Sequence, residues 1–180
     1  PLRFKEILDS GEIGDLRSVN LVHYRGAFRP AWKGSRALSG GLALMETCHA
    51  IDLCRHFSAA EVAEAQSFAP RTSIPYYDFA DTEYLVLKME NGVLCHLTSC
   101  HTRSADAKEG GFQPGEWEEE QYGHQYEWNI LGSRGALWYS GVREKGLCVY
   151  HHEGEGDQWR CRLDRVEDYS QVPFERKMHW

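Results

Sequence analysis

The sequence predicts an α+β fold, a large open and mainly antiparallel β-sheet with helices packed on one face. Three observations carry this. Helical periodicity is confined to the segments before Phe57, nearly every later apolar segment alternates with a period of two, and short glycine-containing turns join those segments. The 180 residues give room for one domain, read as spanning 1–180. An apolar fraction of 42%, with 12% aromatic, supplies a substantial core. The formal charge of −7, without a basic run, excludes a nucleic-acid partner held by phosphate contacts.

Taken in order, Leu2-Arg3-Phe4-Lys5-Glu6-Ile7-Leu8 places Phe4, Ile7 and Leu8 on one helical face. Gly11 stops that helix and Gly14-Asp15 turns the chain. From Ser18 to Arg25, Val19, Leu21, His23 and Arg25 alternate with Asn20, Val22 and Tyr24, which reads as a strand. A polar loop from Gly26 to Ser39 carries Arg29, Trp32, Lys33 and Arg36. Ser39 then reads as the N-cap of the longest helical run, Leu42 to Phe57, and Gly40-Gly41 permits close backbone approach at its start.

Strands follow at 60–69, 83–90, 93–101, 125–131, 136–140, 147–152 and 158–163. Asn91-Gly92 predicts a type I′ hairpin between two of them. The segment 103–123, with its cluster Glu116, Glu118, Glu119 and Glu120, reads as a long acidic loop facing water. Helices cover one face of such a sheet and leave the other for a second copy. The aromatic and apolar positions Tyr126, Trp128, Ile130, Leu137 and Tyr139 are expected on that second face, which predicts a homo-oligomer.

Six cysteines lack any CxxC pair, so reduced and mostly buried thiols are expected. The dipeptides Cys48-His49, Cys95-His96 and Cys100-His101 do not predict a metal site, because adjacent strand residues point to opposite faces. For the same reason at most one of His96 and His101 reaches a common site. No stretch approaches a bilayer span and no signal peptide is visible, which predicts a cytoplasmic protein without membrane contact. The start at Pro1 and the end at Trp180 read as a piece of a longer polypeptide.

Gly40-Gly41-x-x-Leu44-x-Glu46-x-x-His49-x-x-Asp52-Leu53-x-Arg55 resembles the signature GGGxLxDxGxHxxDLxR of the C-terminal domain of the glucose-fructose oxidoreductase, inositol dehydrogenase and MocA-like (Gfo/Idh/MocA) oxidoreductases. Phe4 to Val22 is similar to that family's first helix and strand, 78–92 to its hairpin and Ile130 to Leu137 to its glycine turn. The resemblance implies an open-faced sheet domain that contacts substrate and partner subunits, joined to a Rossmann domain that holds NAD or NADP. No GxGxxG turn and no Glu-Lys-Pro segment occur in this chain, so no cofactor-binding residue is assigned to it.

The resemblance implies that His49 is the catalytic histidine, taking the hydroxyl proton as hydride leaves a sugar, cyclitol or polyol. An imidazole titrating near neutrality suits that task. Glu46 stands three residues before His49, where the family's carboxylate stands four before, and as an i, i+3 neighbour it is expected to orient His49 or bind a hydroxyl. Asp52 is expected to support His49. His23, Tyr24, Arg25 and Trp32 lie where the family contacts substrate hydroxyls, and aromatic and hydrogen-bonding groups suit a sugar ring. Two other readings remain open, a carbohydrate-binding or scaffolding domain derived from this family and a glycosidase that uses NAD for transient oxidation.

Overall fold

The computed structural model describes residues 2–26, 32–101, 125–140 and 146–168. Within these, α1 (Leu2–Asp9) leads into β1 (Leu16–Tyr24), and a 3₁₀ turn (Trp32–Gly34) precedes α2 (Arg36–Ser39). A π-helical turn (Ala43–Thr47) runs directly into α3 (Cys48–Ser58). Seven more strands follow: β2 (Val62–Phe68), β3 (Thr82–Met89), β4 (Leu94–Cys100), β5 (Gln125–Gly132), β6 (Gly135–Ser140), β7 (Gly146–Glu153) and β8 (Arg160–Asp168). They form one eight-stranded sheet in the order β2-β3-β4-β1-β5-β6-β7-β8. Every neighbouring pair is antiparallel except β1 with β4.

The predicted class holds, with one topological addition. Strand β1 does not sit at the edge of a meander but is inserted between β4 and β5. Val19 and Leu21 are thereby surrounded by paired strands and become fully buried.

The core lies between one face of this sheet and the helices α1 and α3. Phe4 and Ile7 from α1 and Cys54 and Phe57 from α3 meet Val19, Leu97, Trp128, Ile130, Leu137 and Val149. Phe4 and Trp128 pack with ring centroids 4.8 Å apart, and Phe57 meets Trp128 edge-on at 5.7 Å. Trp128, Ile130, Leu137 and Tyr139 therefore face the helices, which corrects the expectation that they cover the opposite face. Two-residue alternation defines two faces without saying which of them the helices take. The open face carries Phe68, Tyr84, Val86, Leu94, Leu131, Leu163 and Val166, all substantially exposed.

Two turns differ from expectation. Gly92 has φ +84 but Asn91 does not adopt positive φ, so the hairpin is not type I′. Gly92 N–H donates to Met89 O at 2.9 Å and Met89 N–H to Val93 O at 2.9 Å, a type I turn closed by a left-handed glycine. The long helical run is also interrupted. Ser39 ends α2 instead of opening α3, although its hydroxyl does accept the Gly41 N–H at 3.1 Å. Gly40 and Gly41 both have positive φ, +79 and +75, a consecutive left-handed pair that L side chains avoid, and they reverse the chain into the π turn. The acidic loop at 103–123 lies outside the described residues.

Candidate active site

The site forms where the C-terminal ends of β1 and β4 meet the π turn. Alternation along β1 sends His23 to the helix side and Tyr24 to the open face. Arg25 follows on the same side as His23, and its N–H donates to Cys100 O at 2.8 Å, which extends the parallel pairing one residue past the strand. Above these positions Thr47 anchors the π turn to the sheet. Its hydroxyl bonds Glu83 Oε2 at 2.9 Å and Ser99 Oγ at 3.2 Å. A π turn inserts an extra residue into helical register, a device that recurs at functional sites. Here it drives Glu46 inward, with only 8% of its side chain exposed, while His49 stays on the outer surface.

Glu46 is the centre of the arrangement. Arg25 donates from Nη1 to its Oε1, and His23 Nδ1 stands 3.8 Å from Oε2. The His23 ring lies flat on Tyr126, with centroids 4.3 Å apart and planes 6° from parallel. Burial pushes the Glu46 carboxyl above its ordinary range, while Arg25, His49 and Lys33 pull in the other direction. The Tyr126 hydroxyl is also pushed up, by burial first and then by the charge on Glu46.

The structure thus brings His23, Arg25 and Glu46 together and sets His49 within electrostatic reach of Glu46. Among the described residues nothing hydrogen-bonds the exposed His49 ring. Asp52 is turned elsewhere. It lies at the surface and accepts from Arg55 at 3.3 Å, while Arg55 also holds Glu61. Trp32 is 55% exposed in the 3₁₀ turn. His96 is exposed on the open face, whereas His101 is fully buried beside Tyr77, 3.5 Å from ring nitrogen to hydroxyl. Neither joins Glu46.

Two members of the cluster were not singled out from sequence. Tyr126 pairs with His23 across β1 and β5, a contact between residues about a hundred positions apart. Lys33 was visible only as one of several cations in a loop, and its charge acts on the Glu46 carboxyl.

As for metals, Glu12, His151 and Asp164 place ligand atoms within 4.8 Å of one another among the described residues. Arg165 already occupies this position, bonding both Glu12 and Asp164, so the donor set is neutralised by a guanidinium. A dinucleotide does not fit these residues either. Among the described residues the sheet, antiparallel except where β1 meets β4, lacks the strand, glycine turn and helix unit that cradles a pyrophosphate.

An open, mostly antiparallel sheet with helices on one face is the class of fold that the comparisons with known proteins bear out. Residues 2–138 match the GFO/IDH/MocA C-terminal domain, and the chain belongs to that family. It is 37% identical over 94 residues to inositol 2-dehydrogenase 2 of Saccharopolyspora erythraea, a match covering 52% of this chain and 26% of that protein. The fold superposes on levoglucosan dehydrogenase in complex with NADH and levoglucosan with a TM-score of 0.66 at 16% identity, covering 89% of this chain and 42% of the other. An NAD-binding oxidoreductase from Klebsiella pneumoniae gives a TM-score of 0.64 at 16% identity, covering 90% and 42%. The chain thus spans about a quarter of the length of the curated relative and under half of these solved structures.

Proposed function

We propose that this chain is the substrate-binding and proton-transfer part of an NAD(P)-dependent oxidoreductase that acts on a sugar, cyclitol or polyol. One observation carries the reading: Glu46, buried and held by Arg25 and His23, lies beneath an exposed His49 whose ring has no hydrogen bond among the described residues. His49 takes the proton from a substrate hydroxyl as the carbonyl forms, and returns it in the reverse direction. The Glu46 carboxylate stabilises the imidazolium that results. Arg25 and His23 act by fixing Glu46, so they are positioning residues in this scheme. The hydride acceptor is a nicotinamide supplied by a dinucleotide-binding unit outside these residues.

The names of two relatives, which specify inositol and levoglucosan, support the substrate class proposed here. Residues 1–180 act as one unit in this reading. The open face, with Phe68, Tyr84, Val86 and Leu94 exposed, supports assembly with a second copy. Six free thiols suit a reducing cytoplasm. No described helix is long and apolar enough to cross a membrane.

The test is turnover by the protein carrying its dinucleotide-binding unit, with inositols and anhydro- and free hexoses as substrates. His49→Ala is expected to lower kcat by about 10²–10⁴-fold, the usual range for loss of a general base. Its thermal midpoint should stay near that of the parent, because the exposed ring packs against nothing that the fold needs. Unchanged turnover in His49→Ala overturns the assignment.

A further inference from the structure

Four side chains cross the sheet in one polar rung. The strand register sets Glu83 on β3 beside Ser99 on β4, Ser99 beside His23 on β1, and His23 beside Tyr126 on β5. Alternation puts Glu83, Ser99 and His23 on the face of Leu85, Leu97 and Leu21, which is the face that carries the core and the helices. The π turn rests on this rung through two consecutive side chains. Glu46 meets the β1 end, at His23 and Arg25, and Thr47 meets the other end, at Ser99 and Glu83. Thr47 and Ser99 are almost completely closed off from water.

The bonds at the Thr47 end run in one direction. A carboxylate only accepts, so the single Thr47 hydroxyl proton goes to Glu83 Oε2 at 2.9 Å, and the Ser99 hydroxyl, 3.2 Å away, donates to Thr47. Ser67 on β2 donates to Glu83 Oε1 at 3.1 Å, so both carboxylate oxygens are engaged. A hydroxyl bonded to an ionised acceptor is held more strongly than one bonded to a neutral group. Geometry of the π type is rare beside the α-helix, so the place of this turn depends on contacts from outside the helix. The Thr47 methyl fills space that a valine would fill equally well, whereas its hydroxyl serves only this clamp.

We propose that Thr47, held by Glu83, is a positioning residue for the proton-transfer site, clamping the π turn so that the Glu46 carboxylate stays on Arg25 and His23. The catalytic consequence rests on the dehydrogenase reading above. In that reading Thr47 and Glu83 touch no substrate and act through Glu46.

The experiment uses the dinucleotide-complete protein with the inositols and hexoses above. Thr47→Val, which keeps the shape and removes the hydroxyl, is expected to lower kcat about ten- to a hundredfold with little change in KM, and Thr47→Ser to retain most of the parent's kcat. In a Glu46→Gln background Thr47→Val should have almost no further effect on kcat, because the group it positions is already lost. An unchanged kcat in Thr47→Val, the same loss in both backgrounds, or an equal loss in Thr47→Ser overturns the inference and leaves the dehydrogenase reading intact. A second measurement needs no turnover. The coupling between Arg25 and Glu46, taken from urea unfolding of Arg25→Met, Glu46→Leu and the double variant, should fall by half or more when the cycle is repeated with Thr47→Val and persist with Thr47→Ser. If no sugar turns over, the dehydrogenase reading falls and this coupling decides: its loss in Thr47→Val upholds the positioning of Glu46, and an unaltered coupling overturns it.

Discussion

Arg25, one residue beyond the end of β1, donates through Nη1 to Oε1 of Glu46 in the π turn, with 17% and 8% of the two side chains exposed. This ion pair joins the sheet to the helical layer at the site. Two charges so far from water are costly singly and tolerable together. The pair therefore does more for the position of Glu46 than for the stability of the fold.

Arg25→Met is accordingly expected to destabilise the protein by about 3 kcal/mol, because it leaves a buried carboxylate without its main cation. Glu46→Gln should cost less, and the double variant Arg25→Met/Glu46→Leu should recover a large part of the loss. Urea unfolding of the four proteins measures the coupling. The pH dependence gives a second check. The folded-state pKa of Glu46 is raised above its ordinary 4.5, so its contribution is fully present below that value and is lost as pH rises through the folded value. Arg25 limits this loss, and Arg25→Met should show a steeper fall in stability above pH 4.5 than the parent. Parallel pH profiles for the two proteins would contradict the assignment.

Much of this site was legible in local sequence because its parts are local. Alternation along β1 already put His23 and Arg25 on one face and Tyr24 on the other. The separation of Glu46 and His49 by three residues suggested neighbours, and the structure keeps them within electrostatic reach even though the π turn sends one inward and the other outward. What local pattern does not encode is the identity of distant partners. Insertion of β1 beside β5 brings Tyr126 onto His23. Asp52 has Arg55 and His49 both at three-residue spacing, and it turns to the permanent cation. Trp128 and Leu137 were expected on the face away from the helices and lie under α1 and α3, because alternation does not say which face the helices cover.

The cysteines divide sharply by environment, which chemical labelling can read. Cys54 on α3 and Cys95 on β4 are fully buried. The neighbouring Cys95 thiol and burial push the Cys54 thiol up, whereas the Cys54 thiol draws Cys95 down against its own burial. Cys161 on β8 is exposed. Brief treatment of the folded protein with iodoacetamide at pH 8 should label Cys161 and leave Cys54 and Cys95 unmodified, as read by peptide mass spectrometry. All three should react in urea. Labelling of Cys54 at the rate of Cys161 in the folded protein would show that α3 does not pack on β4 as described.

At the far end of the sheet, Glu12 ties the turn after α1 to β8 through two contacts with Arg165, one of them at 3.2 Å. Arg165 also bonds Glu167 at 3.0 Å, and Glu167 accepts from Arg3 on α1 at 2.8 Å, so the chain of charges closes on the first helix. His151 adds a third group 3.4 Å from Glu12. The Arg165 guanidinium holds the Glu12 carboxyl below its ordinary 4.5. A lowered pKa contributes stability that is present above the unfolded value and lost as pH falls through the folded one. The side chains of Glu12 and Arg165 are 26% and 33% exposed, so solvent screening keeps the contribution near about 1 kcal/mol. Glu12→Gln should therefore lower the thermal midpoint by a few degrees at pH 7, and the gap to the parent should close in acid as pH falls below 4.5 and through the lowered folded-state value of Glu12. A gap that persists unchanged into acid would mean that Glu12 acts through packing and not through its charge.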